Sequence, residues 1–341
     1  MTTTQQQTTY RPDVLGGDFE ARTIPLRPDE DGEADATLVR RTLPNGSGRA
    51  VLYVHGFVDY FFQEHLAAAW LEAGFDFYAL DLRKYGRSLH EHQRPNYIAS
   101  LGAYDEELDA AARIIRDEEG HDVLVVMGHS TGGLITALWA HDRRGRGVVD
   151  ALVLNSPWFD LNAGLFQRTI GTLAVHRLGT LKPNLVVGSL GSAYGRFLHR
   201  DTGGEWDYDL AWKPHEGFPV VAGWLRAVRA GHARLNRGLA IGCPVLVASS
   251  DASSDPSEEP GRISSTDVVL DVAQIARRTP KLGRLVTLVR ITGGIHDLTL
   301  SPEPARSAFF AELARWQEAY VPAEPQVRSQ AGTDRDRKDL R

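Results

Sequence analysis

The stretch Val123-Leu124-Val125-Val126-Met127-Gly128-His129-Ser130-Thr131-Gly132-Gly133-Leu134 decides how this chain is read. Its first five residues form an unbroken apolar run, the pattern of a strand buried on both faces. Leu134, Leu138 and Trp139 then continue it as an apolar helical stretch. Between strand and helix lies Gly128-x-Ser130-x-Gly132. Its glycines permit a sharp turn that lifts a serine out of the sheet, and the amides that open the helix face developing negative charge. As a bare pattern it arises by chance in about one chain in ten of this length, at ordinary Gly and Ser usage. Its place between a buried strand and a helix is what discriminates. A serine hydroxyl reacts only when a base takes its proton and the site holds the resulting oxyanion. Ser130 is therefore the candidate nucleophile, and the sequence must supply the other parts.

Working outward, the same strand, turn and helix order recurs. Ala50 to Val54 reads as a buried strand, His55-Gly56-Phe57 as its turn, and Gln63 to Ala73 as a helix closed by Gly74. A backbone donor for an oxyanion belongs after such an early strand, so the Phe57 amide is assigned to it, with the Thr131 amide as its partner. Phe75 to Leu82 reads as the next strand. It leads through Arg83-Lys84-Tyr85-Gly86-Arg87-Ser88 to a helix whose Tyr104, Leu108, Ala111, Ala112 and Ile115 face the sheet. Further strands are expected at Ala151 to Leu154, Cys243 to Val247 and Leu285 to Ile291, with a last helix beginning at Ser301-Pro302. The runs Phe19 to Leu26 and Ala36 to Leu43 suit a hairpin at one sheet edge. Alternation of this kind gives an α/β fold with a mostly parallel central sheet and helices on both faces.

Of the chain's 12 histidines, His296 follows the last strand on a glycine-containing loop, which brings it to the sheet edge that carries Ser130. It is the candidate general base. His55 and His129 read as turn or packing residues, and His121, His176 and His215 lack a strand-end context. The acid must follow the strand ending at Val247 and reach the far nitrogen of His296, which leaves Asp251, Asp255 or Asp267. Asp251 is nearest the strand but lies in the polar run Ser249 to Asp255. Asp267 stands where the loop ends and apolar periodicity resumes, and it is favoured.

Composition narrows the function classes. With 42% hydrophobic and 24% charged residues the chain has an ordinary globular balance. A net charge of -6 argues against nucleic acid as a partner and for a small molecule. Cys243, the single cysteine, forms no intrachain disulfide, and residues 1–13 lack the features of a signal peptide. No apolar run is long enough to insert stably in a bilayer, so a cytoplasmic protein is expected. Residues 1–18 are expected to be a flexible segment, 19–323 the catalytic domain with an inserted cap at about 158–241, and 324–341 a disordered tail. Oligomeric state is not legible. The cap supplies Trp158, Phe159, Leu161, Leu165, Phe166, Trp206, Tyr208, Trp212, Phe218 and Trp224, as surface for an acyl chain or as its own core. Its ten Lys and Arg against six Asp and Glu would suit an anionic head group or a solvated face.

The set Val54-His55-Gly56-Phe57, Asp81 to Ser88, Gly128 to Gly133, Pro244 to Val247 and Gly294-Ile295-His296 resembles the α/β-hydrolase superfamily. Within it, the resemblance is to the serine aminopeptidase S33 or monoacylglycerol lipase-like group, and it covers about Ala36 to Tyr320. It implies an acid followed within a few residues by a second Asp, as Asp267 and Asp271 are, although the loop from Ser249 to Thr266 would be unusually long. It also implies that the inserted stretch folds as a lid. The expected activity is a serine hydrolase that cleaves carboxylic esters of a small or lipid-like acyl substrate through an acyl-enzyme, with no metal or organic cofactor. An acyltransferase or thioesterase on the same fold is the alternative, and a non-catalytic ligand-binding homologue is a more distant one.

Overall fold

A computed structural model describes residues 9–161 and 179–321. Among these, strands β1 (Arg11–Pro12), β2 (Glu20–Asp29), β3 (Gly32–Arg41), β4 (Arg49–Val54), β5 (Asp76–Asp81), β6 (Val123–His129) and β7 (Ala151–Asn155) come first in the chain. The short strands β8 (Val186–Gly188) and β9 (Val220–Val221) pair with each other inside the inserted region, and β10 (Val245–Ser250) and β11 (Val286–Ile291) follow. The helices are α1 (Glu64–Glu72), α2 (Asp105–Arg113), α3 (Thr131–Asp142), α4 (Ala193–Leu198), α5 (Ala222–Asn236), α6 (Val272–Arg278) and α7 (Ala305–Tyr320). The sheet runs β1-β2-β3-β5-β4-β6-β7-β10-β11, antiparallel from β1 to β5 and parallel from β5 to β11.

The continuous apolar runs follow from burial on both faces. In β4, Ala50, Leu52 and Val54 enter one core, and Val51 and Tyr53 enter the other. In β6, Leu124 and Val126 alternate in the same way with Val123, Val125 and Met127. Helices α2, α3 and α5 cover the first face, whereas α1 and α7 cover the second. Parallel strands place their C-terminal ends along one edge, so the loops after β4, β6, β7, β10 and β11 meet there.

Three expectations change. The hairpin arms reach further toward their turn than the sequence suggests, because pairing continues through Leu26 with Ala34 to Asp29 with Gly32, and Pro25 is tolerated where β1 no longer pairs with β2. The last helix starts at Ala305 rather than at Ser301-Pro302, since the Ser301 hydroxyl accepts the Ile295 amide (3.1 Å) instead of capping a helix. The segment 1–18 is not free over its second half: β1 pairs with β2, and the buried Asp13 carboxylate takes two hydrogen bonds from Arg87 (both 2.7 Å). Residues 1–8, Leu165, Phe166, His176 and the tail from 324 lie outside the described residues.

The described helix α5 of the inserted region is packed into the body. Trp224, Val228 and Leu235 of α5 belong to the larger core, and at Gly231 a Cβ would stand 2.8 Å from a Leu101 methyl and 3.2 Å from one of Leu138. Leu108, wholly buried on α2, holds that same face. Leu108→Ala is expected to lower the unfolding free energy by about 2–5 kcal/mol, read as a lower urea midpoint. An unchanged midpoint would contradict the assignment of α2 to this core.

Candidate active site

Ser130 sits at the end of β6 with φ 52° and ψ −116°, a backbone strain typical of a serine held at a strand-to-helix elbow. The turn is tight because it interlocks with the one after β4. At Gly132 a Cβ would lie 2.2 Å from the His55 carbonyl oxygen, and at Gly56 one would lie 3.0 Å from Ser130 Cβ. Gly132 leaves no room for a side chain, and a Cβ at Gly56 would push on Ser130. The Ser130 amide donates to the Asn155 carbonyl of β7 (3.0 Å), which fixes the elbow to the next strand.

His296 stands on the loop after β11. Its Nδ1–H donates to Asp267 Oδ2 (2.9 Å), which leaves Nε2 to accept the Ser130 hydroxyl (3.0 Å). Asp267 is wholly buried, and its Oδ1 takes the amides of Val269 (2.8 Å) and Leu270 (2.7 Å). The length of the loop before it has a simple resolution. Asp267 pairs as a β-bridge with Ser253, and its amide donates to Ala252 (2.9 Å), so residues 254–266 are an excursion that returns to where it left. Asp251 is exposed and accepts the Gly293 amide (3.3 Å), Asp255 accepts Ser257, and Asp271 caps α6. Of the three acid candidates, Asp267 is the one brought to the imidazole.

Phe57 and Thr131 border the same cleft as Ser130 and His296, a space of about 840 Å³ including its mouth. Apolar wall comes from Phe57, Val58, Trp158, Leu190, Val269 and Leu270. Most cap aromatics pack elsewhere: Trp206 stacks on His65, Tyr208 meets Phe62, Trp212 meets Tyr60, and Trp224 lies on Phe57 and Trp158. Trp158 is the one of that sequence-derived set, among the described residues, that borders the cleft.

Several polar residues of the site were not singled out from the sequence. Asp59 is buried beside the cleft, 2.5 Å from Lys213 Nζ of the cap and 3.3 Å from His129 Nδ1. Asp297 accepts from Asn155 (2.7 Å), Thr299 (3.0 and 2.7 Å) and Gln63 (3.3 Å), and its amide donates to the Tyr194 hydroxyl (2.9 Å). Burial opposes ionisation of Asp59, but Lys213 and His129 outweigh it and hold the carboxyl far below its usual range. His215, set aside for want of a strand end, borders the cleft as well. The one available signal was adjacency, since Asp59 follows Phe57 by two positions and Asp297 follows His296 directly.

The two turn histidines differ in charge. Burial lowers the pKa of His55, whose Nε2 accepts the Leu82 amide (3.1 Å) while Nδ1–H donates to the Gly56 carbonyl (2.8 Å), so it is a neutral brace. Burial works against the charged form of His129 too, yet Asp297 and Asp59 outweigh it and raise its pKa above 6.5. Its ring centre lies 5.0 Å from that of His296. Among the described residues no cluster of three or more His, Cys, Asp or Glu is placed to hold a metal ion, and no helix is long and apolar enough to cross a membrane.

Residues 47–259 match the model of a family described as serine aminopeptidase, S33. The monoacylglycerol lipase of Paleococcus ferrophilus is similar in structure over 83% of this chain and 98% of its own, at 19% identity and a TM-score of 0.59. A soluble variant of the Saccharomyces cerevisiae monoglyceride lipase, solved with a substrate analog, is similar over 88% and 96%, at 15% identity and a TM-score of 0.63. An esterase of Pyrococcus furiosus is similar over 92% and 100%, at 15% identity and 0.51. At these identities the likeness is one of fold. No curated protein sequence matches the chain.

The raised His129 gives a prediction with a definite sign. Its ion pairs stabilise the fold fully below the ordinary pKa of 6.5 and are lost as pH rises through the folded value. An NMR titration is expected to place His129 above 6.5, with a downward move in Asp59→Asn. A midpoint at or below 6.5 in the unaltered protein would contradict the pairing.

Proposed function

We propose that this chain, which belongs to the serine aminopeptidase S33 family of α/β-hydrolases, cleaves uncharged carboxylic esters of small or lipid-like acyl substrates. The observation that carries the reading is the unbroken relay Asp267, His296, Ser130, with hydrogen bonds of 2.9 and 3.0 Å. Asp267 fixes the tautomer in which Nε2 is the free base. His296 takes the hydroxyl proton as Ser130 Oγ attacks the acyl carbon, and the Phe57 and Thr131 amides receive the oxyanion. The bond to the leaving alcohol then breaks, with the proton returned to its oxygen by His296. Water, activated by the same imidazole, releases the acid and restores Ser130.

The substrate class follows from the walls. An acyl chain suits the apolar lining of Phe57, Val58, Trp158, Leu190, Val269 and Leu270. The basic surplus of the cap does not argue for an anionic head group, because its lysine at the cleft, Lys213, is already paired with Asp59. Relatives in fold that are monoacylglycerol lipases and an esterase agree with an ester substrate. A cytoplasmic setting remains the expectation from sequence.

Ser130→Ala is expected to abolish hydrolysis of short and medium nitrophenyl esters without altering the circular dichroism spectrum. Asp267→Asn should lower kcat by about 10⁴-fold, the scale seen when a carboxamide holds the wrong imidazole tautomer. Asp251→Asn should stay within about threefold of the unaltered protein. Turnover that survives Ser130→Ala, or an effect of Asp251→Asn as large as that of Asp267→Asn, would overturn the assignment.

A further inference from the structure

Between Asp209 and Gly217 the cap runs along the loop that carries Phe57 and meets three consecutive residues of it. The Asp209 amide donates to the Tyr60 hydroxyl (2.7 Å), Lys213 Nζ stands 2.5 Å from Asp59 Oδ1, and a Cβ at Gly217 would lie 3.5 Å from a Val58 methyl. This loop needs holding. Val58 has φ 51°, a left-handed conformation that a β-branched residue rarely adopts. From the body, Asn96 Oδ1 accepts the Val58 amide (3.1 Å). From the cap, the matching restraint is the buried ion pair. The Asp59 carboxylate also reaches both turns of the site, with Oδ2 3.5 Å from the Gly56 amide and 3.3 Å from His129 Nδ1.

We propose that Lys213 is a positioning residue: its ammonium, delivered by the cap, holds the Asp59 carboxylate and through it keeps the Phe57 amide where the oxyanion forms. The inference rests on the reading of Ser130, His296 and Asp267 given above. It adds that the cap completes the oxyanion site as well as covering it. Lys213 acts through Asp59, with no contact to the ester required of it.

Two variants separate positioning from the burden of a stranded buried charge. Lys213→Gln removes the cation and leaves Asp59 with only His129 facing it as a charged partner, whereas the double variant Asp59→Asn with Lys213→Met removes both charges. With nitrophenyl butyrate, both are expected to lower kcat per folded molecule about 10- to 100-fold, the scale of a small misplacement at a reacting centre, with KM within about threefold. Lys213→Arg should restore most of the lost kcat, because it returns a cation to Asp59. Recovery of full kcat in the double variant would reduce Lys213 to a counter-ion and overturn the proposal. A change confined to KM, or full kcat in Lys213→Gln, would do the same. Ser130→Ala, assayed alongside, keeps the two readings apart. If it still turns over ester, the catalytic assignment fails; if it is dead while Lys213→Gln is fully active, only the positioning role fails.

Discussion

The hydrogen bond from the Ser130 hydroxyl to His296 Nε2 is 3.0 Å long, yet it joins loops at the ends of β6 and β11, with β7 and β10 lying between those strands. It can form only if every intervening strand is parallel and in register, so that the loops leave from one edge. The pairs His129 with Asn155, Ala248 with Asn155 and Ser250 with Ile291 carry that register across the sheet. Burial of β6, β7 and β10 on both faces enforces it, because a one-residue slip would exchange the two cores. Asn155 marks the midpoint: its carbonyl takes the Ser130 amide, and its side chain holds Asp297 and Leu298 beside His296. The site is thus an outcome of strand order, with the loops supplying the chemistry.

That dependence explains what was legible in the residues. Ser130 and His296 could be read because each follows a strand whose apolar run is plain, and the parallel sheet does the rest. The close approach of Gly132 to the His55 carbonyl joins turns far apart in the chain, and only the glycines in both turns foreshadow it. Asp267 was harder, since chain distance from β10 misleads. The bridge to Ser253 closes the 254–266 excursion and brings Asp267 back beside the strand end, a long-range pairing with no periodic signature. Of the charged set Asp59, Lys213, His129 and Asp297, the chain showed only that Asp59 and Asp297 lie next to candidate site residues and that His129 belongs to the turn. The set is assembled from the β4 loop, the cap, the β6 turn and the β11 loop, and no pattern along the chain announces such a meeting. Ser301 misled for a related reason, because a capping residue in sequence was claimed by the Ile295 amide in space.

The buried carboxylates around the cleft are matched within the protein. Asp59 faces Lys213 and His129, while Asp297 faces His129, Asn155, Thr299 and Gln63. Pairs of this kind add little net stability against apolar packing, but they fix geometry, because breaking one strands a buried charge. Here they link the loops that carry Phe57, Ser130 and His296 to one another and to the cap. The cleft thus combines apolar lining from Phe57, Val58, Trp158, Leu190, Val269 and Leu270 with the paired charges of Asp59 and Lys213.

The most direct test of the central claim is covalent labelling of the unaltered protein with a fluorophosphonate, mapped by mass spectrometry of its peptides. One phosphonate per chain is expected, attached to the peptide that contains Ser130. Absence of an adduct, or an adduct on another serine, would contradict that claim.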